Sequence, residues 1–314
     1  MNLWTFSRSI NVSFFDRFWN SAHAVLAMAS LMWAGHTVAL RISVGEISPV
    51  LLMELRWLGS FLILVTIFHK TLPLYLPLVR QHWRWFFGMG GIGLAGFTLF
   101  IVYAAQYTSA VNLGIIQGII PACVMLFGWL IFRTPIGWLQ FLGLCSSLMG
   151  VLVLVSAGSL ATITALNFNG GDLLMVVACL CYAVYTVSLA RRMDMPPVIL
   201  LCFFAFFAFL SCSFFTVVEY TSGDLVLPSF KGVLILIYCA VCPSILSQTF
   251  FIRGVALTGA NRAGLYVNLV PVFAAFLAMM ILSESLKIYH LIALMMVISG
   301  IFLAEYGKIK TQVK

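Results

Sequence analysis

The chain says one long passage twice. Shifting the stretch from Tyr107 to Val153 forward by 150 positions, without a gap, lays Thr108 on Thr258, Ala110 on Ala260, Gly114 on Gly264, Pro121 on Pro271, Leu144 on Leu294 and Gly150 on Gly300. Each copy is an apolar run broken by a central proline, then a short polar step, then a second apolar run ending near a glycine. A hydrocarbon layer of about 30 Å takes about 20 residues to cross as a helix, so each copy reads as a hairpin of two membrane helices. An offset of 149 extends the repeat: Leu31, Ala34, Thr37, Val38 and Leu40 meet Leu180, Ala183, Thr186, Val187 and Leu189, with Trp33 on Tyr182 and His36 on Tyr185.

Composition agrees with a membrane chain. Residues are 63% hydrophobic and 8% charged, against about 25% charged in a soluble globule. Ten segments are long enough to span: 20–44, 49–69, 84–105, 109–132, 136–156, 171–190, 197–218, 231–252, 260–282 and 287–306. The polar stretch 157–170 falls midway and joins two five-helix halves, 20–156 and 171–306, flanked by segments 1–19 and 307–314. Five crossings per half start the second half on the opposite side, so the repeats are inverted, as in secondary transporters. The expected fold is therefore all-α and integral to the membrane: ten transmembrane helices as two inverted five-helix repeats.

Charge sets the orientation. Of 17 Lys and Arg, three (Arg41, Lys231, Lys287) fall on one side, Arg56 lies within the second span, and 13 fall on the other side. The basic side is cytoplasmic, which places both termini inside. The formal charge of +8 is spread over short loops rather than one face, so it argues for membrane orientation and against a nucleic-acid partner. The opening MNLWTFSRSINVSFFDRFW has no signal-peptide core and reads as a cytoplasmic lead-in at the headgroups.

Polar residues at mid-depth are costly and therefore informative. Trp33 and His36 share a face of the first helix, as Tyr182 and Tyr185 do in the sixth. Gly114, Gln117 and Pro121 share a face in the fourth, and Gly264, Asn268 and Pro271 in the ninth. Tyr103 and Gln106 come near the outer end of the third, and Ser244, Ser247 and Gln248 near the middle of the eighth. Two readings stand for these side chains, substrate contact or helix packing through rings and hydrogen bonds. Pro121 and Pro271 each free a carbonyl about four residues earlier, near Gln117 or Val267, which makes a hinge or a ligand site. His36 titrates near neutral pH and is a candidate for proton coupling or a packed, hydrogen-bonded ring. Glu54 and Arg56 point to different faces, and Arg56 either pairs with a neighbouring helix or snorkels. No carboxylate sits at mid-depth, so facilitated diffusion stays open beside coupling to a proton or counter-solute.

Other chemistry is not supported. Cys179 and Cys181, or Cys239 and Cys242, have suggestive spacings, but no further Cys or His cluster completes a metal site. Gly88, Gly90 and Gly93 spell a dinucleotide fingerprint, yet no strand precedes them, and they read as close-packing residues. No metal and no cofactor is expected. An enzyme acting on lipid would need a carboxylate pair, a metal cluster or an activated nucleophile, none of which is present.

Trp-Ala-Gly at Trp33, Arg56, YTSA leading to Pro121, LTGAN leading to Pro271, and Leu-Ser-Glu at Glu284 resemble the EamA family of the drug/metabolite transporter superfamily over nearly the whole chain after about residue 22. The resemblance implies a central cavity between the halves, lined mainly by helices 1, 3, 4, 6, 8 and 9, and a small-molecule substrate. Each half of that family commonly has a glutamate after its fourth helix; here the second half has Glu284 and the first has Thr134. The function expected is alternating-access transport of a small amino-acid-like, aromatic or zwitterionic metabolite, outward across a bacterial-type inner membrane. Uptake or exchange of a nutrient or cofactor-like metabolite is the alternative. Expected substrate-binding residues are Trp33, His36, Tyr103, Gln117, Tyr182, Tyr185, Ser247, Gln248 and Asn268; expected hinge or gating residues are Pro121, Pro271, Gly114 and Gly264.

Overall fold

A computed structural model describes residues 14–282 and 287–312, so Glu284 lies outside the described residues. Among the described residues ten helices are long and apolar enough to cross a membrane: α1 (Ala22–Ile42), α2 (Pro49–Phe68), α3 (Trp83–Ala104), α4 (Ala110–Phe132), α5 (Trp138–Val155), α6 (Gly170–Leu189), α7 (Pro197–Thr221), α8 (Phe230–Thr258), α9 (Ala260–Ile281) and α10 (Ile288–Tyr306). Among the described residues there is no strand. Outward faces carry exposed Leu62, Ile67, Trp129, Phe214 and Met280, side chains suited to lipid rather than water.

Most differences from the expected boundaries have local causes. The eighth helix runs past Arg253 to Thr258, where Gly259 stops it at φ +84. Arg253 does not end it, because its guanidinium reaches back to the Trp19 carbonyl (3.2 Å) and Asn20 Oδ1 (2.6 Å). A short helix, Leu72–Gln81, was not expected from a stretch with two prolines; Pro73 falls in its first turn, where no N–H is required. The midway linker likewise holds one turn of helix, Leu160–Thr164.

Packing follows the repeat. α1 lies against α8 and α9, as α6 lies against α3 and α4; α2 meets α7, α4 meets α9, and α5 meets α10. Exchanging the halves maps this set of pairs onto itself, the pattern that two units related by a pseudo-two-fold axis produce. In the α5–α10 crossing the backbones touch. A Cβ on Gly300 would come within 2.5 Å of the Gly143 carbonyl oxygen, and one on Gly150 within 2.9 Å of the Ala293 carbonyl oxygen. Adding 150 to Gly143 and Gly150 gives Ala293 and Gly300, so the two contacts are one contact seen from either half. Small residues permit this approach, and dispersion supplies the attraction that a hydrophobic effect cannot supply in lipid.

The helix irregularities also come in pairs. α3 widens into π-helical turns over Gly88–Gly96, and α8 over Ala240–Leu246. α4 breaks after Gln117, just before Pro121, and α9 tightens into a 3-10 turn over Tyr266–Asn268, just before Pro271. Beside each break a backbone carbonyl that already accepts from the tightened turn takes a second bond, from a side chain of the other half. Ser30 Oγ of α1 donates to the Tyr266 carbonyl (2.7 Å), and Cys179 Sγ of α6 to the Ile116 carbonyl (3.4 Å). Ser30 and Cys179 are 149 apart and Ile116 and Tyr266 are 150 apart, so both bonds are repeat-related.

Candidate functional site

One cavity of about 490 Å³ lies between the halves. It is walled by Trp33 and His36 of α1, Arg56 and Trp57 of α2, Phe97 and Thr98 of α3, Gly114 and Gln117 of α4, Tyr182 of α6, Gln248 of α8 and Pro271 of α9, with α5 and α10 closing the side. The lining runs toward the end of the bundle where α1 finishes and α2 begins. At the opposite end the helices pack shut: His23 Nδ1 bonds the Tyr266 hydroxyl, and Leu26 fills the space left by Gly254. A second, shallower hollow of about 640 Å³ lies beside the loops around Tyr107 and Asn167. It is more open and lies beside the linker rather than between the halves, so the central cavity is the stronger candidate.

Rings form its floor. Trp33 and Tyr182, equivalent positions in the repeat, meet edge to face at 6.0 Å. Tyr182 also lies 4.7 Å from Phe97 and 5.6 Å from Tyr185. Trp33 is fixed by its indole N–H, which donates to the Pro243 carbonyl at 3.3 Å. That carbonyl belongs to the widened turn of α8, whose Ala240 carbonyl is taken by Ser60 (2.9 Å) and whose Cys239 carbonyl is taken by Ser244 (2.7 Å). Pro243 lacks an N–H, and the wide turn leaves carbonyls that side chains of α1, of α2 and of α8 itself satisfy. The tyrosine hydroxyls differ: that of Tyr185 donates to Gln248 Oε1 (3.1 Å), while that of Tyr182 is buried without a partner among the described residues.

Two cations line the cavity: Arg41, at the end of α1, and Arg56, which is buried at 3% exposed. Arg56 Nη1 lies 2.7 Å from His36 Nε2. A guanidinium only donates, so Nε2 accepts and the imidazole carries its proton on Nδ1, which faces Cys239 Sγ at 3.4 Å. A second proton on His36 would require Arg56 to withdraw from Nε2. Arg56 also lies 4.8 Å over the ring of Trp57, a cation–π contact that offsets part of its desolvation. Glu54 is turned elsewhere, accepting from Ser213 at 2.8 Å.

The structure thus gathers Trp33, His36, Gln117, Tyr182, Gln248, Gly114 and Pro271 around one space. It does not gather the rest. Tyr103 packs on Phe215 of α7, Ser247 donates to the Ala29 carbonyl (2.9 Å), and Asn268 donates to Ser147 (2.9 Å). Tyr185 stands behind Gln248, Pro121 is buried within α4, and Gly264 packs against Val124. Arg56 was not among the expected contacts. Its depth was the signal: seven residues beyond Pro49 it stands about 10 Å along the helix, too far within apolar neighbours for an easy return to water. Among the described residues no group of three or more His, Cys, Asp or Glu is placed to hold a metal ion.

Comparison with known proteins gives the family and the fold. The family model for the EamA-like transporter family matches residues 20–156 and again 169–306. The chain belongs to the EamA-like transporter family. Relatives of this EamA protein include an uncharacterized transporter, YyaM, of Bacillus subtilis, 28% identical over 69% of this chain and 71% of its own length. An uncharacterized transporter of Archaeoglobus fulgidus is 26% identical over 90% of this chain and 97% of its own. A solved crystal structure superposes with a TM-score of 0.74 at 19% identity, covering 90% of this chain and 96% of that one, and so shares the EamA fold. The protein is a multi-pass membrane transporter, and a small-molecule substrate and a lipid bilayer follow from that.

Proposed function

We propose that this EamA protein is a secondary transporter that carries a small amino-acid-like or aromatic metabolite by alternating access between its halves, with net export across a bacterial-type inner membrane. The observation that supports this most is the cavity of about 490 Å³ walled by both repeats, open toward one end and packed shut at the other. Its size lies in the range of about 300–1,000 Å³ typical of sites for small organic ligands. With the basic loops inside and both termini cytoplasmic, the closed end faces the cytoplasm and the shape is outward-facing. Rocking the halves about the interface would seal the α1–α2 end and part His23 from Tyr266. The test is counterflow in proteoliposomes: labelled phenylalanine or tryptophan outside, unlabelled solute trapped inside. Accelerated entry driven by the trapped pool is expected. If no member of an amino-acid panel exchanges faster than in empty liposomes, the substrate class is wrong; entry insensitive to trapped solute would replace alternating access with a channel.

A further inference from the structure

We infer that Arg56 is an anion subsite of the central cavity, taking the carboxylate of an organic solute whose apolar or aromatic body lies against Trp33, Phe97 and Tyr182. This rests on the transport reading and narrows its substrate from amino-acid-like or aromatic solutes in general to those bearing a carboxylate. A buried charge in a membrane protein is retained where it is paired or used. Arg56 lines the cavity, yet among the described residues its only hydrogen-bond acceptor is the uncharged ring of His36, and its Nε is enclosed without any partner. Neutral imidazole fixes the guanidinium without cancelling its charge. The carboxylate two residues away, Glu54, is committed to Ser213.

Geometry supplies the rest of the fit. A guanidinium offers a planar fork matched to two carboxylate oxygens, and a buried fork held by a fixed partner loses little freedom on binding. The aromatic floor begins one helix away, where Trp33, on the same α1 face as His36, meets Tyr182 and Tyr182 meets Phe97. Among the described residues the cavity lining has no Asp or Glu to receive an ammonium group. The carboxylate is therefore the group recognised, and an added amine gains nothing from this wall.

The experiment uses four solutes with one shared ring: 3-phenylpropanoate, its neutral amide, phenethylamine and phenylalanine. Binding is read as thermal stabilisation of the purified full chain, and transport as counterflow in proteoliposomes. We expect the carboxylate to bind about tenfold or more tightly than the amide, with the amine weakest. Arg56→Gln should erase that preference, and Arg56→Lys should restore part of it. Equal binding of carboxylate and amide by the native protein overturns the subsite, as does a preference that survives in a folded Arg56→Gln protein, or absence of stabilisation by all four solutes. Should Arg56→Gln fail to fold, the native comparison of carboxylate with amide decides alone. Binding of the carboxylate without counterflow would sink the transport reading and leave the subsite standing; counterflow of amide and carboxylate alike would do the reverse.

Discussion

Trp33 and His36 of α1 stand where Tyr182 and Tyr185 stand in α6, and the two pairs meet different company. His36 faces a guanidinium across to α2, whereas Tyr185 faces the amide of Gln248 across to α8. Positions 149 and 150 beyond Arg56 hold Ala205 and Phe206, so the second half has no matching cation. Backbone features, by contrast, are shared: both halves have a widened third helix, a broken fourth helix, and a Ser or Cys side chain from the opposite first helix bonding a carbonyl beside the break. The lesson is a division of labour. The helix breaks are built twice, and the buried cation is built once.

Substitutions can break this comparison or sharpen it. The largest effects should be alike in both halves. Gly150→Leu and its repeat equivalent Gly300→Leu each force a side chain into the α5–α10 crossing, against Ala293 and Val297 or against Gly143 and Ser147, and each should cost about 3 kcal/mol. Thermal unfolding in detergent reads this; tolerance at one position and collapse at the other would show that the halves are not equivalent. Next in size, and confined to the first half, is His36→Ala. It removes the acceptor that holds Arg56, at about 2 kcal/mol of stability for a charged hydrogen bond, and it should loosen carboxylate binding more than amide binding. An equal loss for both solutes would mean that His36 is only a packing residue.

Smaller effects separate the two tyrosines. Tyr185→Phe abandons Gln248 and should cost about 1 kcal/mol, while Tyr182→Phe deletes a hydroxyl with no partner among the described residues and should change stability by less than about 0.5 kcal/mol. A reversed order would place an unseen partner on Tyr182. The smallest effect lies in the loop between α1 and α2. Glu46 accepts from Ser229 and pairs with Lys231 at 3.1 Å, and those hydrogen bonds hold its carboxyl below the usual range. Stability from a depressed carboxylate is complete above the ordinary carboxylate pKa and is lost as pH falls through the lowered value. Glu46→Gln should therefore lower Tm slightly at neutral pH, where the contribution is complete, and meet the native curve at acid pH, where it is already lost; the shift is small because an exposed pair contributes little. Met195, 149 positions on, has no charge to lose.

Helix number and the paired breaks were legible in the sequence because length, apolarity and proline act through the local chain. Gly114 and Gly264 fell on matched positions for the same reason. Arg56 as a wall of the cavity was not legible: spacing set it off Glu54's face, but only packing decided that α2 turns it inward toward His36. Tyr103, Ser247 and Asn268 show the converse, since a polar residue at the right depth serves an inter-helix bond as readily as a cavity. The widened turns escaped notice as well. Glycines in α3 read as close packing, which Gly90 and Gly93 against Phe204 and Tyr185 do show, but nothing local announced extra residues per turn.

Those widened turns in α3 and α8 hold a further consequence. Each lies immediately before residues of the lining, Phe97 and Thr98 in one case and Gln248 in the other. Tightening one turn by a single residue would twist everything beyond it by about 100° about its own axis. A wall could thus exchange an aromatic panel for a different one by screw rotation alone, with no helix tilting and no loop lengthening.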